Sequence, residues 1–239
     1  MTHAVMSSNN ELYQPLADIT WHQNKKIYAQ MHGYETFYRN SNFSPDVPLG
    51  YQKIFDIRDI MISRPDIEWI WVTGTDSLIT NLSIKIEDKV DNRYHFMISV
   101  DFNGINSDSF LIRNSPEGRS FIDYLIEVQP EACKEWDVDQ RAITWALGAP
   151  TFGNVWPDIP YYPTGKRFKN VARIYPQTYM NSYNYDIYFN RYISSAVGDY
   201  DVLGYRGSWR KGDWLIHWPG TRLDERMHFA NFYIQHVVV

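Results

Sequence analysis

The chain has 239 residues, 44% of them hydrophobic and 16% aromatic, and a formal net charge of −5. That apolar content can fill one large core and excludes an intrinsically disordered chain, while the net acidity argues against a protein that holds a nucleic-acid backbone on a basic face. A single cysteine, Cys133, excludes an internal disulfide and a cysteine-rich zinc site, and no apolar stretch approaches the roughly 20 residues needed to cross a bilayer.

Met1 to Asn10 has neither a basic flank nor a long apolar core, so it is not expected to act as a signal peptide. Within it, His3 to Ser8 reads as a first strand that ends in small polar residues. Leu16, Ile19, Ile27, Tyr28 and Met31 then recur at helical spacing, and His32-Gly33-Tyr34 supplies a glycine stop. Glu35 to Tyr38 is the next predicted strand, and Asn40 to Pro48 is a polar loop with two prolines. Ile54, Ile57, Ile60 and Met61 give Gln52 to Ile62 a helical period, closed by Pro65. Trp69-Ile70-Trp71-Val72 is a short apolar run of the kind buried on both faces of a sheet. It stops at Thr73-Gly74-Thr75-Asp76-Ser77. Strand, helix and strand in this order predict a parallel βαβ sheet. Ligands of such sheets bind beyond the carboxyl ends of the strands, where Asp76 sits.

Further along, His95 to Val100 and Phe110 to Arg113 are predicted strands, and Pro116 to Glu127 and Asp139 to Leu147 are predicted helices. Phe152 to Ile174 is rich in proline, glycine and aromatics without a clear period and reads as loops with small strands. Asp213 to Trp218 alternates as a strand does and ends at Pro219-Gly220; Leu223 to Phe232 is a terminal helix.

Several side chains admit two explanations. A carboxylate is costly to bury unless it is paired or holds a cation, so Asp76 is either a metal ligand for a diphosphate or a turn or cap residue like Ser77 and Asn81. His217 ends a strand; its imidazole suits a divalent transition metal, and a structural histidine is the ordinary alternative. Arg222 is a phosphate clamp with a planar donor fork or a surface partner of Asp224 or Glu225. Asp139 and Gln140 open a helix, where an aspartate complements the dipole or faces a substrate. Asp101, Asn103 and Asn106 are a polar cluster that turn chemistry explains equally well. Lys166-Arg167-Phe168-Lys169 to Tyr175 is basic and aromatic, suited to phosphates and bases or to an ordinary surface loop. There is no glycine-rich phosphate loop, G-x-S-x-G elbow or H-E-x-x-H. Cys133, flanked by Glu131 and Glu135, is poorly set to form a nucleophilic thiolate.

Taken in order, these segments resemble one family, the galactosyl-, mannosyl- and xylosyltransferases that include fungal galactomannan galactosyltransferases and plant xyloglucan xylosyltransferases. Asn24-Lys25, Tyr28-Ala29 and His32-Gly33-Tyr34 follow its N-K-x-x-Y-A-x-x-H-G-Y opening, and Lys53-Ile54 its W-x-K-I helix. Glu68-Trp69-Ile70-Trp71, Asp76, Leu78-Ile79 and Asn81 follow E-W-I-W-W-x-D-x-D-A-x-I-x-N. Asp101, Asn103-Gly104, Asn106 and Phe110-Leu111-Ile112-Arg113-Asn114 follow D-x-N-G-x-N-x-G-x-F-L-I-R-N. Asp139-Gln140 with Ala142 follows D-Q-x-A, Asn181-Ser182-Tyr183 follows N-S-Y, and Gly212-Asp213, His217 and Gly220 follow G-D-x-x-x-H-x-x-G.

The resemblance implies a GT-A type α/β fold, a Rossmann-like mixed, mostly parallel sheet flanked by helices. The length suits one domain over residues 1–239, and the resemblance implies a nucleotide-sugar half up to about residue 100 and an acceptor half with the C-terminal metal-ligand segment beyond it. The expected reaction moves a hexose or pentose from a nucleotide diphosphate sugar, UDP-linked, to a hydroxyl of a glycan or other acceptor with retention. Asp76 and His217 would hold Mn²⁺ or Mg²⁺. Ser7, Lys53, Thr75, Asp76, Gly220 and Arg222 would contact the donor, and Asp101, Asn106 and Asp108 the acceptor. Gln140 and Asp139 would lie at the reacting sugar. Three positions depart from the pattern. Gly74 replaces the first aspartate of D-x-D, Ser77 the alanine after it, and Asp108 the glycine before F-L-I-R-N. The family's membrane anchor is not seen, so a bacterial or viral setting and a cytoplasmic location are expected. Two rival readings stand beside the enzyme: a carbohydrate-binding protein that has lost catalysis, favoured by Gly74, and a viral-type DNA-base glycosyltransferase, which the acidity disfavours.

Overall fold

The computed structural model describes residues 2–40, 47–101, 104–135, 137–148, 168, 170–184 and 207–239. Strands β1 (Thr2–Asn9), β2 (Glu35–Asn40), β3 (Ile67–Thr73), β5 (Phe96–Asp101), β6 (Gly104–Arg113) and β7 (Ala172–Tyr175) form the main sheet, in the order β2-β1-β3-β6-β5-β7. β1 is parallel to β2 and β3, and β5 to β7; β6 runs against both its neighbours. A second sheet has β4 (Ser77–Ile79), β9 (Leu215–His217) and β8 (Ser182–Tyr183), in the order β4-β9-β8. The result is the mostly parallel α/β sheet that the sequence predicts.

Side-chain alternation divides the core. Ala4, Met6, Ile70, Val72, Phe96, Ile98, Phe110 and Ile112 point to one face and are buried in one cluster. That cluster is completed by three helices: α3 (Leu49–Ser63) through Ile54, Ile57, Ile60 and Met61, α4 (Pro116–Ala132) through Phe121, Ile122 and Leu125, and α5 (Val138–Leu147) through Ile143 and Leu147. The spacing is the stripe expected of an amphipathic helix, and each fully buried large side chain contributes about 1.5–3 kcal/mol. Val5, Trp69, Trp71, Met97 and Leu111 point to the opposite face. There the Trp71 and Trp214 rings stack 4.0 Å apart at 22° and tie the main sheet to the smaller one.

One stretch departs from its predicted periodicity. The helix expected through Leu16 to Met31 consists of α1 (Gln14–Ala17), a π-helical segment Asp18–Lys25 and α2 (Lys26–His32), which ends at Gly33 in the left-handed region (φ 71°). A π turn carries more residues than an α turn and shifts the buried stripe. Ile27 and Met31, expected inside, are 43% and 47% exposed, while Thr20, Asn24 and Lys25 are buried. Of the predicted loops of residues 152–174, Ala172–Tyr175 is strand β7; residues 152–167 and 169 lie outside the described residues.

Candidate active site

Strand β3 ends at Thr73, and the chain turns through Gly74 and Thr75 to Asp76 before β4. β4 pairs antiparallel with β9, Ser77 opposite His217, and the Trp218 N–H donates to the Asp76 carbonyl at 3.0 Å. This register brings together an aspartate and a histidine that are far apart in sequence. The π-helical segment holds the turn from below. Thr20 Oγ1 donates to the Thr75 carbonyl at 2.7 Å, Asn24 both donates to and accepts from the Ile79 backbone, at 2.9 and 2.7 Å, and Lys25 Nζ donates to the Ser77 carbonyl.

Three potential ligand atoms converge here. His217 Nε2 lies 3.5 Å from Asp76 Oδ1 and 3.3 Å from Asp108 Oδ2, and one donor atom from each of the three residues falls within 4.8 Å of the others. Two carboxylate oxygens and an imidazole nitrogen are a fitting donor set for Mn²⁺ and similar divalent ions. The far side of the imidazole is fixed as well. His217 Nδ1 donates to Asn181 Oδ1 at 2.7 Å, Asn181 Nδ2 donates to the Tyr183 hydroxyl at 3.2 Å, and that hydroxyl donates to Asp101 Oδ2 at 2.6 Å. Such a chain selects the tautomer that leaves Nε2 facing the carboxylates.

The electrostatics follow from burial and close charges. Desolvation works against the Asp76 carboxylate, but Arg226, whose Nη2 is 2.9 Å from Oδ2, and His217 outweigh it and hold its pKa well below the usual range. Desolvation, then the charge of Asp76, push Asp108 up against the pull of His217, Lys53 and Lys25. Burial opposes the imidazolium of His217, yet Asp108 and Asp76 raise its pKa overall. Desolvation lowers the Lys25 ammonium to about 7, with Asp108 and Asp76 opposing.

A cavity of about 200 Å³ opens beside this cluster, lined among others by Ser8, Asn9, Lys53, Gly74, Asp76 and Arg226. Of the expected donor residues, Lys53, Thr75 and Asp76 border it. Ser7 is buried one residue short of it on β1, and Ser8 and Asn9 take the wall. Gly220 sits in the turn after β9 with φ 68°. Arg222 extends into solvent, 71% exposed, and its guanidinium pairs with Asp224 at 3.0 Å. The arginine at the cavity is Arg226, one turn further along α6 (Leu223–Tyr233). Asp139 is buried in the first turn of α5, 2.9 Å from Lys53 Nζ, with Gln140 beside it.

The acceptor-side expectations are redistributed. Asp101 and Asn106 lie in the buried network behind His217, where Asn106 Nδ2 donates to Asp101 Oδ2 at 3.1 Å and to the Tyr183 hydroxyl at 3.0 Å. Asp108, expected at the acceptor, stands in the acid–histidine cluster, because its position on β6 puts its carboxylate over the end of β3. Asn103, Lys166, Arg167 and Lys169 lie outside the described residues. Phe168 is 5% exposed, with its ring edge-on to Phe121 at 5.2 Å, a core position unsuited to base stacking. Sequence reasoning missed Arg226 and the supporting roles of Thr20, Asn24, Lys25, Asn181 and Tyr183. The one available signal was that N-K and N-S-Y belong to the motifs of the resemblance.

Comparison with known proteins agrees with this geometry. The profile of the galactosyl transferase GMA12/MNN10 family matches residues 4–93 and 88–220. An uncharacterized alpha-1,2-galactosyltransferase of Schizosaccharomyces pombe is 29% identical over 51% of this chain and 43% of its own length. Galactomannan galactosyltransferase 1 of Cyamopsis tetragonoloba is 24% identical over 52% of this chain and 32% of its own length. The matches thus span less than half of each relative. Among solved structures, a glycosyltransferase involved in the glycosylation of the major capsid of PBCV-1 superposes with a TM-score of 0.68 at 13% identity, covering 97% of this chain and 100% of that one. The galactosyltransferase LgtC, in complex with donor and acceptor sugar analogs, gives 0.55 at 12% identity, covering 99% and 96%. These likenesses establish the fold as GT-A.

Proposed function

This chain belongs to the galactosyl transferase GMA12/MNN10 family, and from that premise we propose that it transfers a hexose or pentose from a UDP-linked sugar to a hydroxyl acceptor, with retention and with a divalent cation. The observation that carries this reading is the convergence of Asp76, Asp108 and His217 on one point beside a cavity bordered by the cations of Lys53 and Arg226. Breaking a sugar–phosphate bond leaves a diphosphate with growing negative charge. Groups that meet that charge more strongly in the transition state than in the ground state accelerate the step. A cation held by the three ligands would supply Lewis acidity at the diphosphate. Arg226 and Lys53 add fixed positive charge to the same wall, and the network Asp101–Tyr183–Asn181 keeps His217 aimed. Asp139, anchored by Lys53, and Gln140 in the same helical turn are the polar groups proposed to orient the sugar and the incoming hydroxyl. A glycan is the proposed acceptor, and the cytoplasm the proposed location.

The purified protein should release UDP from a UDP-sugar only when Mn²⁺ or Mg²⁺ is present. Asp76→Ala and His217→Ala should each reduce turnover at least about a hundredfold. Full turnover in both variants would refute the assignment. Glycan binding by calorimetry without cation-dependent nucleotide binding would favour the binding-only reading instead.

A further inference from the structure

We propose that the carboxylate missing from position 74 has been relocated to Asp108, so that Gly74 and Asp108 form a reciprocal pair in which each residue requires the other. This rests on reading the acid–histidine cluster as a cation site. Position 74 is where the D-x-D pattern places its first aspartate, and position 108 is where the accompanying strand pattern places a glycine. Here the two residue types are exchanged, and the structure supplies a physical reason for linking the exchanges. A Cβ built on Gly74 would lie 2.0 Å from Asp108 Oδ1, 2.2 Å from Oδ2 and 2.4 Å from Cγ. The Asp108 carboxylate therefore fills the space that any side chain at 74 would enter. It is fixed there by the Gly74 N–H, which donates to Oδ2 at 3.2 Å, and by the antiparallel ladder in which the same N–H donates to the Asp108 carbonyl at 3.0 Å.

The backbone of Gly74 does not otherwise demand glycine, since its φ is not among the positive values of the chain. Its residue type is set by the neighbour across the ladder. The first side-chain carbon at position 74 would lie within 2.4 Å of the present Asp108 carboxylate carbon, so side chains from the two positions compete for the same small volume beside Asp76 and His217. Both strands cannot place a carboxylate there together, because the side chains overlap and two adjacent carboxylates repel. The exchange keeps two carboxylates and one imidazole at the site while changing the strand that carries one of them.

The test is a four-variant cycle on the full chain: wild type, Gly74→Asp, Asp108→Gly and Gly74→Asp/Asp108→Gly. Mn²⁺ binding is read by electron paramagnetic resonance of the free ion, with and without UDP, and melting temperature is read in chelator. Loss of a group that merely supports a metal ligand costs about 10–100-fold in affinity, so Asp108→Gly should weaken Mn²⁺ binding at least about tenfold. Gly74→Asp should weaken it similarly or unfold the protein. The double variant should fold and recover affinity to within about threefold of wild type. A double variant that binds no better than Asp108→Gly overturns the exchange. If the double variant does not fold, Asp108→Asn decides: wild-type affinity overturns the proposal, and a loss of about tenfold or more upholds it. Mn²⁺ binding by wild type that needs Asp76 and His217 but is unaffected by Asp108→Gly sinks the exchange alone. Absence of Mn²⁺ binding to wild type in both conditions sinks the cation-site reading with it.

Discussion

On one face of the main sheet, Phe96 packs on Phe121 with ring centroids 4.6 Å apart, and α3, α4 and α5 close over them with aliphatic side chains. On the other face, the contacts that position the site are polar. Thr20, Asn24 and Lys25 reach from a π-helical segment to the backbone of residues 75–79. The first face is held by area removed from water, which is non-directional and tolerates small shifts. The second adds to its own apolar cluster buried hydrogen bonds to the site, whose geometry is specific and whose loss strands a desolvated partner. Both faces bury apolar clusters, but only the second adds the directional contacts that set positional accuracy at the site.

The comparison can be broken by substitutions that separate stability from cation binding. Phe121→Ala, on the aliphatic face, should cost about 3–5 kcal/mol in denaturant melts and leave the Mn²⁺ affinity of the folded fraction unchanged. Asn24→Ala, on the polar face, should cost less, about 1–3 kcal/mol for the stranded Ile79 backbone groups, yet weaken Mn²⁺ binding about tenfold by loosening β4, which begins one residue after Asp76 and pairs with His217. If the two variants showed the same ratio of lost stability to lost affinity, the division of labour would be wrong.

The smallest effect concerns pH. His3 lies on the polar face, its ring 5.9 Å from that of Tyr34. Burial lowers its pKa, against the raising influence of Glu87 and Glu68. In the window just below the ordinary imidazole value, the unfolded chain takes up a proton that the fold resists, so stability falls as pH drops through that window. The loss should be under about 1 kcal/mol between about pH 7 and pH 5.5. It should shrink in His3→Gln, as compared by urea melts at the two pH values, and an NMR titration should place the His3 midpoint below that of a model peptide.

Periodicity in the sequence located α3, α4 and the doubly buried run of β3, because those elements depend mainly on which side chains leave water. It also located the two extremes of the site, Asp76 and His217, as polar residues at strand ends. It pointed to Arg222 as the phosphate-facing arginine and missed Arg226. Both lie at the start of one helix, and the neighbours of each decide the matter: Asp224 draws the first into solvent, and Asp76 holds the second at the cavity. Nor could it show that Lys25 is buried, since the π turn that rotates it inward has no simple compositional mark.

By itself, then, the sequence determined the mostly parallel α/β sheet and the family pattern, since hydrophobic alternation and motif order are properties of the chain alone. Only the tertiary structure decided where the second carboxylate comes from. Gly74 and Asp108 read separately as a loss and an oddity. Strand pairing places them face to face, and the 2.0 Å that would separate a Cβ at 74 from Asp108 Oδ1 makes them one feature. Register across a sheet, which joins residues that no local pattern connects, is the physical reason for that difference.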